Sequence, residues 1–266
     1  MPRLAILLTC LASALPAHEV WLEPLDYQID GDGKLQAHLV NGELFEGFHL
    51  AWLPQSFSRF ELDQDGRVTQ VENRLGARPA LDLVAPTDGL AVVAYTSSTS
   101  RLTYDDFAVF ERFAAHKDFP DAIAAHRARG LPETGFTEIY TRFAKTLIAV
   151  GDGAGADRAF GMETEFVALS NPYTDDLSQG MTVQLFYQGL PRIDSQVELF
   201  DKSPDGAVQI TYHRTDSDGI VTLPVRPGHA YLADAVVLRE PDADLAATED
   251  AVWESLWAAL TFAVPD

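Results

Sequence analysis

The fold class is decided by residues 181–238, MTVQLFYQGLPRIDSQVELFDKSPDGAVQITYHRTDSDGIVTLPVRPGHAYLADAVVL. Short apolar stretches, with Thr182–Tyr187 and Tyr231–Leu238 as the clearest, are separated by turn dipeptides of the Asp-Gly and Pro-Gly type. Short strands at such spacing are typical of a small β-sandwich. We therefore predict an Ig-like or prealbumin-like β-sandwich over residues 161–266.

The region from residue 18 to about residue 104 also has the pattern of a β protein. Phe60–Leu62 and Val68–Val71 flank Asp65-Gly66, a dipeptide suited to the type I′ turn of a hairpin. Leu90–Tyr95 is apolar throughout, as in a strand that is buried on both faces. These patterns predict a second β-rich domain that begins at residue 18.

Residues 105–150 interrupt the β pattern, and we predict three helices there. Pro120 suits the first turn of the second helix, and Gly130 suits its end. The third helix is predicted over Phe136–Val150, because apolar side chains recur there at helical spacing. This insertion would complete an N-terminal domain over residues 18–150.

A glycine-rich segment, residues 151–155, predicts a linker over residues 151–160. The expected fold class is therefore mainly β. It has two β-sandwich-like domains, residues 18–150 and residues 161–266, and the first carries the three-helix insertion.

The N-terminal segment, residues 1–17, is predicted to be a cleavable export signal. A positively charged start is followed by the largely apolar run Leu4–Leu15. Cleavage after Ala17 would make His18 the first residue of the mature chain, and cleavage after Ala14 is the alternative. Either cut predicts a protein outside the cytoplasm.

Composition narrows the classes of partner. The chain has 266 residues, 47% of them hydrophobic, and a formal net charge of −21, which argues against nucleic acid and anionic membrane surfaces. No apolar run after the predicted signal reaches the roughly 20 residues that span a membrane, so we expect no stable membrane insertion. Cys10 is the only cysteine and lies in the predicted signal.

The histidines are the residues that most strongly indicate a metal site. An N-terminal histidine offers an α-amine and an imidazole that together can chelate a metal ion. Without cysteine in the mature chain, the ligands would be imidazole, carboxylate or amine, a set that suits nickel, cobalt, copper or zinc. The candidate ligands are His18, Glu19, His126 and His229. His126 could instead be a helix surface residue, and His229 a turn residue.

Catalytic motifs are missing from the sequence. There is no G-x-S-x-G nucleophile motif, and the many carboxylates single out no catalytic pair. We therefore expect a binding protein and not an enzyme.

Four motifs spread over the chain resemble the DUF4198 family. They are His18–Pro24, Glu138–Leu147, Thr215–Gly219 and Trp257–Phe262. The family is a group of exported bacterial proteins that includes NikK-like periplasmic components associated with nickel and cobalt uptake. The resemblance implies a periplasmic location, a bound divalent transition metal ion and an inner-membrane metal uptake transporter as partner. Nickel or cobalt is the expected ion, with copper or zinc as the alternative.

Two other functions stay open on sequence grounds. One is a metal-independent β-sandwich module for binding or interaction. The other is a copper protein with a histidine brace, which would need a second histidine beside His18. The sequence does not indicate which histidine that would be.

Overall fold

The computed structural model describes residues 18–266, so the predicted export signal lies outside the described residues. This part of the chain is mainly β, with three α-helices and one short 3-10 helix at Pro54–Ser56. The strands are β1 (Glu19–Pro24), β2 (Gln28–Ile29), β3 (Lys34–Glu43), β4 (Glu46–Leu50), β5 (Phe57–Gln64), β6 (Arg67–Gln70), β7 (Leu81–Val84), β8 (Gly89–Ser97), β9 (Ser100–Tyr104), β10 (Phe136–Val150), β11 (Thr164–Ala168), β12 (Met181–Tyr187), β13 (Leu190–Pro191), β14 (Gln196–Lys202), β15 (Val208–Arg214), β16 (Ile220–Leu223), β17 (Ala230–Arg239) and β18 (Trp253–Ala263). The helices are α1 (Phe107–His116), α2 (Ala122–Ala128) and α3 (Ala243–Glu249).

Three sheets form the architecture of residues 18–266. The central sheet has the strand order β15-β14-β17-β18-β10-β8-β5-β6, and β2 and β9 also pair with β10. The N-terminal sheet contains β1, β3, β4 and β7, and the C-terminal sheet contains β11, β12, β13 and β16. The two smaller sheets cover opposite faces of the central sheet, because alternate residues of its strands belong to different cores. The prediction of a mainly β, sandwich-like fold is confirmed.

The predicted helix over Phe136–Val150 is wrong, because this segment is strand β10. Phe143 and Leu147 pack toward the C-terminal sheet, whereas Ala144 and Ile148 pack toward the N-terminal sheet. A strand buried on both faces shows apolar residues at almost every position, and that pattern includes the helical spacing. Two helices, α1 and α2, do lie in the predicted insertion, and the third helix of the described chain is α3, near the C-terminus.

One sheet joins the two predicted domains. The central sheet takes β5, β6, β8 and β10 from residues 18–150, and β14, β15, β17 and β18 from residues 161–266. Strands β10 and β18 pair in parallel from Glu138 opposite Trp253 to Thr146 opposite Thr261. The segment 151–160 therefore connects strands of a shared sheet and does not separate two sheets.

The helices α1 and α2 pack beside the N-terminal sheet on the same face of the central sheet. Trp257 of β18 packs with the buried residues of α1 and α2, which form a cluster that we call the helical core, and Ala259, two residues further on, belongs to the core of the N-terminal sheet. Residues two apart on a strand share a face. This arrangement creates a boundary between the helices and β1, where the candidate site lies. None of the helices in the described range is long and apolar enough to cross a membrane.

Candidate functional site

A cavity of about 380 Å³ lies where the N-terminal sheet meets α1 and the central sheet. His18 lines it directly before β1, Asn41 from β3, Tyr140 and Arg142 from β10, and Trp257 from β18. Residues of β9 and α1, the connecting residues Asp105 and Asp106, and Glu138 complete its wall. We call it the His18 cavity. Its wall includes His18, the predicted ligand at the start of the mature chain.

His18 directly precedes β1, and the pairing of Glu19 with Gly42 fixes the adjacent main chain. The side chain of His18 is 41% exposed, and its Nε2 lies 2.8 Å from Oε1 of Glu43. A carboxylate beside Nε2 favours a proton on that nitrogen and leaves the lone pair of Nδ1 free. Nδ1 is the ring nitrogen closer to the main chain, so it is the one that can act together with an α-amine.

Asn41 supplies a further acceptor to the His18 cavity. Its Oδ1 is buried and has no hydrogen-bond partner among the residues that the structure describes. Buried polar atoms are normally paired, so an unpaired one in a cavity wall marks a place for a bound group. An amide oxygen accepts hydrogen bonds and also ligates metal ions.

Glu19 faces a different environment, which we call the carboxylate cluster: Glu19, Glu198, Asp234 and the ammonium group of Lys117. Carboxylate oxygens of the three acids lie within 4.8 Å of one another, as in a metal site. The Nζ of Lys117 lies 3.0 Å from Glu19, 2.7 Å from Glu198 and 2.9 Å from Asp234. The ammonium group thus takes the position that a cation would need, and Glu19 does not join His18 in the cavity wall.

Burial dominates the protonation of two acids in the carboxylate cluster, Glu19 and Asp234. Burial raises the pKa of Glu19 to about 7, and the positive charge of Lys117 opposes this shift only in part. The pKa of Asp234 is also raised by burial against the effect of Lys117. For Lys117 itself, burial alone would lower the pKa, but the three surrounding carboxylates raise it. The cluster therefore keeps a charged lysine, and Glu19 and Asp234 hold protons more tightly than usual. At Glu198 burial also acts to raise the pKa, but His116 and Lys117 outweigh it, so the pKa of Glu198 is lowered.

Arg142 is a second buried cation. Its guanidinium carbon lies 3.8 Å from the centroid of the Trp257 ring and 4.9 Å from that of Tyr140. Its Nε and Nη1 are buried without a hydrogen-bond partner in the described part of the chain. Burial lowers the pKa of Arg142, and the charges of Asp234 and Glu19 act in the opposite direction.

Glu138 lies two strand positions before Tyr140 and also lines the His18 cavity. It accepts a hydrogen bond of 2.7 Å from the hydroxyl of Tyr104 and another from the hydroxyl of Ser255. Burial raises the pKa of Glu138. Both of its oxygens are therefore occupied by neighbours within the fold.

His126 lies in the helical core and is fully buried. Its Nδ1 accepts a hydrogen bond of 3.0 Å from the indole of Trp253, and its Nε2 lies 2.9 Å from the carbonyl oxygen of Pro132. Both ring nitrogens are thus engaged within the fold. The structure does not bring His126 to the His18 cavity, and it is not the helix surface residue considered above.

His229 lies in the turn before β17. Its Nδ1 is 2.6 Å from Oδ1 of Asp201, and both residues line a separate cavity of about 150 Å³. Of the four predicted ligands, only His18 lines the His18 cavity. A site at His18 must therefore be completed by residues that the sequence did not indicate. The candidates on the N-terminal sheet are Glu43, which lies beside Nε2 of His18, and Asn41, which lines the same cavity.

Comparison with known proteins gives a family but no activity. None of the curated proteins matches the chain. One solved structure, described as a tetra-tandem repeat in the extending region of a large adhesion protein, is 12% identical, with a TM-score of 0.20. The match covers 92% of this chain and 49% of that one, so this chain spans about half its length. At that TM-score the likeness carries no argument.

The family comparison covers most of the chain. The model described as "Domain of unknown function (DUF4198)" matches residues 15–239. This range contains β1 with His18, strand β10 with Arg142, and α1 with α2. Because more than half of the chain matches, the protein belongs to the DUF4198 family.

Proposed function

We propose that this protein is an exported, periplasmic metal-binding protein that holds one divalent transition ion at His18 and passes it to an inner-membrane uptake transporter. Nickel or cobalt is the expected ion, and no catalysis is part of the proposal. Its strongest support is the position of Glu43 beside Nε2 of His18. The export and transporter parts rest on the predicted signal and on the family resemblance.

The chelate depends on which ring nitrogen carries the proton. Metal-bound histidines commonly donate the proton of the other ring nitrogen to a carboxylate, which fixes the ring and its tautomer. Glu43 is placed for that role at Nε2. If cleavage follows Ala17, the α-amine and Nδ1 of His18 can bind one ion together.

The other donors near His18 fit the same type of ion. Asn41, whose buried Oδ1 has no partner among the described residues, lines the same cavity. Nitrogen and oxygen donors without thiolate suit nickel, cobalt, copper or zinc. Glu19 is not part of the proposed site, because its carboxylate is bound to Lys117.

A histidine-brace copper protein receives less support than the nickel or cobalt proposal. A brace needs a second imidazole, and among the described residues the lining of the His18 cavity contains no histidine other than His18. If the purified protein binds no metal, the metal-independent interaction module becomes the favoured function.

The proposal is tested with secreted protein after intact-mass determination of its first residue. Titration calorimetry with nickel, cobalt and copper should show one site per chain. His18→Ala and an added alanine before His18 should each abolish the site, because the first change removes the imidazole and the second displaces the amine. Glu43→Gln should weaken binding by about tenfold or more, as is typical for loss of a partner that orients a ligand. His229→Ala is the matched control and should bind normally.

Three results would overturn the proposal. The first is a mature chain that begins elsewhere and still binds one ion with unchanged affinity after His18→Ala. The second is equal binding by the unmodified protein and the variant with the added alanine. The third is no binding of any of the three ions above background, which would favour the interaction module.

A further inference from the structure

We infer that the His18 cavity binds a small organic carboxylate, and that Arg142 holds its anionic group. This inference goes beyond metal binding and does not require a metal ion. It starts from a buried guanidinium whose Nε and Nη1 have no acceptor in the described part of the chain, and from the apolar wall around it.

Arg142 is 8% exposed and lines the cavity. The two buried donors, Nε and Nη1, have no acceptor among residues 18–266. Buried arginines normally have their donors paired, because an unpaired buried charge strongly destabilises a fold. The guanidinium carbon lies 3.8 Å from the centroid of the Trp257 ring, so the ring packs against the face of the guanidinium group. This contact does not provide hydrogen-bond acceptors for Nε and Nη1.

The acidic side chains nearest to Arg142 are engaged elsewhere. Glu19 and Asp234 bind Lys117 at 3.0 and 2.9 Å. Glu138 accepts hydrogen bonds from two hydroxyl groups. The fold therefore surrounds Arg142 with carboxylates that balance its charge from a distance but do not accept its hydrogen bonds. An anion from outside can do so.

The rest of the cavity decides the class of anion. Tyr140, Trp257, Val109 and Phe113 give it an apolar wall, and its volume of about 380 Å³ suits a small molecule. A single arginine matches one carboxylate well. A dianion such as phosphate would add repulsion from the nearby acids, and Arg142 is the only arginine or lysine among the described residues that line the cavity.

Benzoate is the probe, because it combines a carboxylate with an apolar ring. Binding is measured by calorimetry and by nuclear magnetic resonance of the indole N–H groups, with protein treated with a chelator so that metal binding cannot contribute. The unmodified protein should bind benzoate and should bind neutral benzamide at least about tenfold more weakly, as expected for loss of a charge-assisted contact. Arg142→Gln should remove this preference.

Two further variants keep the test decisive. Arg192→Gln is the matched control, because Arg192 also has a buried, unpaired Nη1 but does not line the His18 cavity; it should bind benzoate normally. Leu102→Trp places a large side chain in the cavity and leaves Arg142 unchanged. Leu102 lines the cavity and is 43% exposed, so the larger side chain should block benzoate binding. This variant decides the question if Arg142→Gln fails to fold.

Several outcomes contradict the inference. They are an absence of benzoate binding to the unmodified protein, equal affinities for benzoate and benzamide, and unchanged benzoate binding by a folded Leu102→Trp variant. Tighter binding of inorganic phosphate than of benzoate would overturn the assignment to a carboxylate. Because no metal is present, each of these results is independent of the proposed function at His18.

Discussion

The guanidinium carbon of Arg142 lies 3.8 Å from the centroid of the Trp257 ring, and Nζ of Lys117 lies 4.9 Å from the same centroid. Cations are attracted to the faces of aromatic rings. Trp257 therefore connects the two buried positive charges, one in the His18 cavity and one in the carboxylate cluster. Phe113 of α1 also stacks on this ring at 5.7 Å, which ties the helical insertion to the central sheet.

Trp257→Ala should destabilise the protein by about 3–5 kcal/mol, the usual range for loss of a buried large aromatic side chain. Trp257 is 3% exposed and contacts both buried cations. Urea unfolding followed by circular dichroism measures the change. Leu190→Ala is the control, because Leu190 is 69% exposed, and it should stay within about 0.5 kcal/mol of the unmodified protein. Equal effects of the two changes would contradict the prediction.

Lys117→Met should cost about 3–5 kcal/mol at neutral pH, because it leaves three buried carboxylates without their cation. Acidification should restore part of this loss, since protonated acids no longer repel one another. Chemical denaturation at two pH values measures both effects. Lys34→Met removes an exposed pair with Asp82 and should cost no more than about 1 kcal/mol. A loss at neutral pH no larger than that of the control would show that the cluster does not depend on Lys117.

Glu19 should make the protein less stable as pH rises from about 4.5 to about 7. Its pKa is raised by burial from 4.5 to about 7, so the folded state binds this proton more tightly than the unfolded state. The stabilisation that Glu19 contributes is complete below its unfolded pKa and is lost as pH approaches 7. Glu19→Gln, which keeps the shape without the charge, should flatten this part of the stability profile.

The experiment compares unfolding free energies of the unmodified protein and Glu19→Gln across this pH range. Glu133→Gln is the control, since Glu133 is an exposed acid outside the cluster. The prediction fails if the two variants show the same pH dependence. A carbon resonance of Glu19 that titrates near its usual value would contradict it directly.

The parts of the fold that could be predicted are those in which a few consecutive residues determine the turn or the strand. The hairpin of β5 and β6 turns at Asp65 and Gly66, which have positive φ values of 52° and 77°. Strand β17, over Ala230–Arg239, closely matches the predicted strand Tyr231–Leu238. In both cases turn chemistry and β propensity agree over a few residues. Strand β10 differs because burial on both faces removes the alternation that identifies an ordinary strand.

The candidate site could be predicted only in part, because distant segments assemble it. His18 stands out from the sequence, whereas Glu43 is recognised only when β1 and β3 are paired. Lys117 and Asp234 are 117 residues apart and meet at 2.9 Å. The sequence contains one indication that Arg142 belongs to the site. Glu138, Tyr140 and Arg142 occupy alternate positions, and alternate positions share one face if the segment is a strand. The helix assignment concealed this relation.

Leu147→Ala should destabilise the protein by about 2–5 kcal/mol. Leu147 lies in β10, is fully buried, and packs in the core between the central sheet and the C-terminal sheet. Because β10 pairs with both β8 and β18, the cavity left by the substitution cannot collapse easily. Thermal and urea unfolding measure the loss. A change below about 0.5 kcal/mol would mean that this face of β10 is accessible and could bind a partner.

A proteolytic cut within residues 151–160 should leave the two fragments associated under native conditions. Much of this segment is exposed, and its carbonyl groups at Gly153 and Gly155 accept hydrogen bonds of 2.9 and 3.0 Å from the side chain of Asn171. The fragments would still share the parallel pairing of β10 with β18. Unpairing strands at the centre of a sheet would expose both cores of the protein to water. Gel filtration of the cut protein should therefore give one peak at the intact size, and the same sample in urea should give two fragments. Two separate, folded fragments without denaturant would show instead that residues 18–150 and 161–266 are independent domains.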